Sequence, residues 1–248
     1  LEIWQSQVRD IADPAMAAAV GGVYADRLAW VFAAGYQVAV RQYFGIEAQG
    51  WLAYCASEDR SGELPGVIAT ESDGGWRLNG NKTWVAAVDH VERLVVAVKG
   101  RPAQHFLIEA AGAGVRLSAK PTPSFLADLS QGTAQFSDAD AAMQVELSPG
   151  KPFHVLEALA IYTAFCGFVI AGFEESAAAH ARSVLAANSL LWQAAMEPAE
   201  IRQLQMMDRE IQQLRKDIDE LARHLVPGWL TDNKLISMYS RGLQKLGS

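Results

Sequence analysis

The chain has 248 residues, half of them hydrophobic and 20% charged, with a formal net charge of −7, so it can build one sizeable core or two modest ones. No block of Lys or Arg supplies the basic footprint a nucleic acid needs, and two cysteines, Cys55 and Cys166, are too few for a disulfide framework or a zinc site. We read no apolar run of the ~18–20 residues a membrane span requires and no secretory signal near Leu1, so the expected setting is cytoplasmic.

In chain order, residues 1–47 read as helical. Asp13-Pro14 is a cap and first-turn pair ahead of an alanine-rich run. Leu28, Val31, Phe32, Gly35, Val38 and Ala39 then recur at helical spacing. From residue 51 the pattern changes to short strands. Trp76, Leu78, Thr83, Trp84 and Val85 supply aromatic and β-branched content. Asp73-Gly74-Gly75 and Asn79-Gly80 are expected to reverse the chain between strands. Leu94 to Val98 fits a strand buried on both faces, and Phe106-Leu107-Ile108 and Thr133 to Ser137 fit further strands. The clearest boundary is Ser148-Pro149-Gly150-Lys151-Pro152. Beyond it, residues 153–187 form a long apolar helical stretch in which Gly167 and Gly172 predict close helix approach. Residues 197–225 predict a single helix. Its stripe of Ile201, Leu204, Ile211, Leu214, Ile218, Leu221 and Leu225 suits either antiparallel bundle packing or a contact with another chain. A last amphipathic helix is expected over residues 233–246.

Two segments carry a resemblance. Tyr54-Cys55-Ala56-Ser57-Glu58, followed by Gly75-Trp76-Arg77-Leu78-Asn79-Gly80-Asn81-Lys82-Thr83-Trp84-Val85, resembles paired motifs of the acyl-CoA dehydrogenases. In that family a pattern like Y-C-x-[TS]-E-P-x-x-G-S-D precedes G-x-x-L-N-G-x-K-x-W-[IV]-[TS] in a middle β-domain. The resemblance implies an α+β fold of the acyl-CoA dehydrogenase type. It would comprise a truncated N-terminal helical segment (1–50), a middle β-barrel-like domain (51–148) and a C-terminal helical bundle (149–248) that lacks the family's last helices.

The resemblance also implies a flavin site. Ser57 matches the hydroxyl of the first motif and Trp84 the aromatic wall, while Ala86 stands where the second motif has a hydroxyl. One hydrogen bond to a flavin edge is worth on the order of 1 kcal/mol, so this loss alone does not abolish binding. On the substrate loop Gly62 is retained, but Glu63 replaces the Ser that meets the acyl-CoA, and a carboxylate there repels an anionic ligand. FAD is the implied cofactor and an acyl-CoA or other acyl thioester the implied substrate. The family's pyrophosphate segment, R-x-x-F-G, has no match around Arg182, which argues against FAD being held by this chain alone.

Removing a proton beside a thioester requires a carboxylate of raised pKa in a dry place. Glu157 is the only acidic residue between Lys151 and Phe173, and it shares a helical face with Ala160, Ile161, Ala164 and Phe168. One branch of the family takes its base from this helix, in a motif resembling E-R-L-x-x-A-x-x-x-x-G. Glu157-Ala158-Leu159 with Gly167 matches that spacing, with Ala158 in place of the Arg. The other interpretation is a solvated carboxylate near a helix N-terminus. His90, His105, His154, His180 and His224 have no metal-ligand spacing. Two functions therefore stand side by side. One is flavin-dependent oxidation of an acyl thioester CH–CH bond with Glu157 as base. The other is a non-catalytic scaffold or partner subunit, homo-oligomeric or paired with a different chain.

Overall fold

The computed structural model describes residues 2–47, 49–72, 75–100, 102–121, 123–147, 150–193 and 196–247. The chain forms two compact units. One contains residues 1–43, 124–126 and 149–248, and the other residues 44–123 and 127–148. The expected boundary at Ser148-Pro149 and the turn at Asp73-Gly74 lie outside the described residues.

The helical unit begins with α1 (Glu2–Gln7), α2 (Pro14–Val23) and α3 (Leu28–Phe44). Asp13 caps α2 as its sequence predicts: its carboxylate accepts the Met16 N–H at 2.8 Å, and Pro14 opens the helix. Next come α4 (Phe153–Gly172), α5 (Glu175–Asn188) and a 3-10 turn (Ser189–Trp192). The unit ends with α6 (Pro198–Asp217), α7 (Asp219–Leu225), α8 (Trp229–Asp232), α9 (Lys234–Met238) and α10 (Ser240–Leu243).

Helix α4 corrects the reading that no apolar run is long enough to span a membrane. By length and composition it is the one such helix among the described residues. Most of it is buried within its own unit, from Val155 through Val169, so its apolar character serves the core.

Glycines let α2 and α3 approach α4. A Cβ on Gly22 would overlap the Ala164 carbonyl, and one on Gly167 would overlap the carbonyl of Ala19. A Cβ on Gly35 would come within 2.7 Å of the Ile161 Cα. The close approach expected at Gly167 is present, whereas Gly172 faces open space. Because backbone atoms oppose the new methyl, Gly22→Ala must push the helices apart. We expect a loss of about 1–3 kcal/mol in urea unfolding, the cost of overpacking; Gly172→Ala, which meets no neighbour, serves as the control.

The stripe on α6 turns inward. Leu204, Ile211, Leu214 and Ile218 are buried, while Leu221 and Leu225 are 41% and 58% exposed. Bundle packing therefore claims the stripe as far as Ile218, where the expected single helix divides into α6 and α7. The last expected helix likewise divides, into α9 and α10.

The other unit is built from β1 (Trp51–Cys55), β2 (Ile68–Ser72), β3 (Gly75–Ala86), β4 (Val91–Val98), β5 (Gln104–Glu109), β6 (Val115–Ala119), β7 (Gln131–Ala141) and β8 (Met143–Gln144). These strands form two four-stranded sheets, ordered β1-β4-β5-β8 and β2-β3-β7-β6, instead of a closed barrel. Only β1 and β4 run parallel; the other pairs are antiparallel. Cys55, Leu94, Val96, Phe106 and Ile108 of the first sheet share one core with Leu78, Val85, Ala134 and Phe136 of the second.

Asn79-Gly80 does not reverse the chain. Strand β3 runs through it, and the register against β7 slips between Leu78 and Gly80. Gly80 has φ +128°, and a side chain there would strike the Gly66 carbonyl. The glycine is thus spent on a bulge and a close approach, the other common use of such a residue inside a strand.

Candidate functional site

The sheet unit carries an open cleft of about 1040 Å³ where the end of β1 meets β3. Ser57 and Trp84, paired on sequence grounds, both line it, together with Glu58, Asp59, Arg60, Thr83, Lys99 and Lys120. A backbone bond from Thr83 N–H to the Ser57 carbonyl, 2.9 Å, ties the chain leaving β1 to β3 and sets these residues side by side. Trp84 is half-buried, and its indole N–H donates to Gln131 Oε1 at 3.2 Å, which fixes the ring. The Ser57 side chain is exposed and its hydroxyl has no partner among the described residues.

Glu58, in the lining, joins an ionic cluster. Lys82 Nζ lies 2.7 Å from Glu58 Oε1, and Lys99 Nζ lies 2.6 Å from Glu58 Oε2. The Lys82 and Glu58 side chains are 1% and 6% exposed, whereas Lys99 is largely in solvent. Glu58 also accepts the Val67 N–H at 3.2 Å. Burial pushes the Glu58 carboxyl up, but hydrogen bonds from Lys82 and Lys99 outweigh it and hold the group below its ordinary value. Cys55, beneath, is wholly buried, and its thiol is pushed up to about 12, which makes it inert packing. Cys166 is buried likewise.

Asp59 organises the loop that follows. Its carboxylate accepts the Ser61 hydroxyl at 2.6 Å and the backbone N–H groups of Ser61, Glu63 and Leu64 at 3.1, 2.9 and 3.0 Å. These bonds, the Ser61 hydroxyl first, hold the carboxyl well below the usual range. Gly62, at φ +84°, and Glu63 lie exposed on this loop and do not line the cleft. Ala86 is buried at the end of β3 and does not line it either.

Glu157 belongs to the helical unit, on α4. It is half-buried, and burial raises its carboxyl to about 7, with a hydrogen bond from Tyr239 pulling partly the other way. Burial first, then the nearby Glu157 charge, raises the Tyr239 phenol. The Tyr239 ring stands edge-on to Tyr162, centroids 6.3 Å apart. Tyr162 in turn donates to the buried Asp208 at 2.6 Å. Ser240 and Gln244 donate to the other Asp208 oxygen, each at 2.7 Å. Thus α4, α6 and the last helices meet around a satisfied buried carboxylate, and Glu157 borders that network through Tyr239. No group of His, Cys, Asp and Glu among the described residues could hold a metal ion.

No known family description matches the sequence, and no curated protein matches it. Solved structures do. FkbI, of methoxymalonyl extender unit biosynthesis, is similar with a TM-score of 0.61 at 14% identity, over 98% of this chain and 89% of that one. Butyryl-CoA dehydrogenase from Megasphaera elsdenii is similar with a TM-score of 0.56 at 13% identity, over 98% and 80%. This chain has the acyl-CoA dehydrogenase fold. PigA with FAD and proline superposes on it with a TM-score of 0.58 at 14% identity, over 93% and 82%. The acyl-CoA dehydrogenase fold is thus present in a sequence only 13–14% identical to these neighbours.

Several residues in the cleft or paired with its lining were missed by sequence reasoning. Glu58 and Lys82 were both inside the quoted motifs, but nothing in their spacing showed that they pair. Thr83 brings a second hydroxyl to the cleft, and Arg60, Lys99 and Lys120 bring positive charge from three separate segments. Tyr239 lay in a helix read only as amphipathic.

Proposed function

We propose that this chain is a flavin-dependent dehydrogenase acting on an acyl thioester. The observation that carries the proposal is the cleft holding Ser57 and Trp84 together. Its residues fit a flavin nucleotide: a fixed indole, a free hydroxyl at Ser57, a second at Thr83, and the cations Arg60, Lys99 and Lys120 for phosphate. Trp84 would supply the flat apolar wall and Ser57 the donor to the ring edge. Thr83 takes over the hydroxyl that Ala86 lacks. A flavin, when bound, supplies the two-electron acceptor. Glu157 takes the proton from the carbon next to the thioester carbonyl, since a carboxyl near pH 7 is matched to that task. The loop bearing Gly62 and Glu63 is the proposed edge for the thioester, with the Glu63 charge disfavouring a ligand rich in negative charge.

A second proposal, a non-catalytic subunit, draws on the apolar side chains left outward on the last helices, Leu225, Leu230 and Met238, which are 58%, 70% and 56% exposed. One titration separates the two. Purified protein mixed with FAD or FMN should retain flavin absorbance after desalting, and Trp84→Ala should lose at least about tenfold in affinity, the worth of one stacked aromatic. Protein that stays colourless with both flavins, and elutes as a dimer or larger, would instead establish the subunit role.

A further inference from the structure

We infer that the helical unit contains a second small-molecule site, a pocket for a compact aromatic or aliphatic compound bearing one hydrogen-bond donor. A cavity of about 390 Å³ lies within this unit. Its apolar lining includes Met16 of α2, Leu185 of α5, Trp192 of the 3-10 turn and Met207 of α6. None of its lining residues has a part in the flavin or base assignments above.

Of the polar residues in the lining, Asp13 accepts the Met16 N–H and Ser189 donates to the Ala186 carbonyl, and the other two point to a ligand. Thr163 on α4 is 2% exposed, Asn188 at the end of α5 is 7% exposed, and both line the cavity. The Asn188 amide donates from Nδ2 to the Val184 carbonyl at 2.8 Å, which fixes its orientation and leaves Oδ1 as an acceptor. Neither that oxygen nor the Thr163 hydroxyl has a partner among the described residues. The two residues are more than nine-tenths buried, yet these two atoms are not sealed off, so they open onto the cavity and take their partner from what fills it. Thr163 is also out of place on its own helix, being the only hydroxyl-bearing aliphatic residue in α4. Packing alone would be served as well by Val.

The volume sets the scale of the occupant. It lies at the low end for small-molecule pockets, enough for one ring or a short chain and too small for a nucleotide. Sulfur and indole in the lining favour a flat or polarisable body. Together with an acceptor at Asn188 and a hydroxyl at Thr163, they describe a phenol-like or short alcohol ligand. Two methionines make such a pocket tolerant of shape.

Phenol is the probe, used with the full chain in ligand-observed saturation-transfer NMR and in a thermal-shift titration. Binding should saturate. Asn188→Leu should weaken phenol by about five- to tenfold, the worth of one hydrogen bond to a buried group, and leave toluene binding within twofold. Met207→Trp, which fills the cavity, should abolish binding of both. Ala15→Leu, at the lining on α2, is the second filling variant if Met207→Trp does not fold, with circular dichroism as the check on each. No saturable phenol signal would overturn the inference, leaving ordered water as the occupant. So would equal phenol affinity in wild type and Asn188→Leu, or undiminished binding in a folded filling variant. Flavin uptake has no part in these readouts, so this inference and the functional proposal fail independently.

Discussion

Glu58→Leu is expected to cost about 3–5 kcal/mol of folding stability, the penalty for leaving a buried charge without its partner. Lys82 is 1% exposed, and its other hydrogen bond, to the Ala56 carbonyl, is a long 3.5 Å. Losing Glu58 therefore strands an ammonium group in the sheet unit. The double variant Glu58→Leu/Lys82→Met should recover most of that loss, because two apolar side chains of similar volume replace an ion pair whose own desolvation was costly. Urea unfolding midpoints at unchanged slope would measure both. A single-variant loss below about 1 kcal/mol, or a double variant no more stable than the single, would mean that the pair is not the buried unit described here. The pH dependence has a definite sign. The Glu58 carboxyl is held below its ordinary 4.5, so its contribution is present above that pH and disappears as the solution is acidified through the lower folded value. The double variant should show a flatter acid limb. Glu58 and Lys99 also floor the cleft, so Glu58→Leu should weaken flavin uptake even at temperatures where the protein stays folded.

What was legible in the sequence follows from the range of the physics involved. Asp13-Pro14 announced α2 because a cap is settled within four residues. Leu94 to Val98 announced β4 because burial on both faces leaves a continuous apolar run. Ser57 and Trp84 could be paired only through the family motif, since 27 positions separate them and no local rule links them. Asn79-Gly80 was misjudged because positive φ serves a hairpin and a bulge equally well, and the backbone at Gly66 that decides the matter is distant in sequence. That α4 is apolar enough to match a membrane span was missed because Glu157 and His154 interrupt its hydropathy without breaking its helix. The Glu58–Lys82–Lys99 cluster and the donors around Asp208 were hidden for the same reason as the cleft cations. Each joins segments far apart in the chain, and charge on its own does not reveal whether it ends buried or solvated.

Glu157→Gln should lower turnover of an acyl thioester by at least about a hundredfold, the lower range for loss of a general base, while flavin uptake stays unchanged. The same substitution makes a prediction about folding that needs no substrate. Burial raises the Glu157 carboxyl from 4.5 to about 7, so the folded protein holds this proton more tightly than the unfolded chain. Its contribution to stability is therefore full below about pH 4.5 and is lost as the pH climbs through about 7. The group is half-buried, so solvent screening trims the effect, and about 1–3 kcal/mol should vanish over that window in the wild type. The Gln variant cannot ionise and should show no such decline. Tyr239→Phe separates a base from a merely buried carboxylate. The phenol donates to the charged carboxylate and draws its pKa down, so removing the hydroxyl should raise it and move the acid limb of the turnover profile to higher pH. If Glu157→Gln turned over normally yet flattened the stability curve, the carboxyl would be a strained element of the bundle and the proton would have to leave by another residue. If the stability curve kept its wild-type slope as well, the burial of Glu157 itself would be refuted.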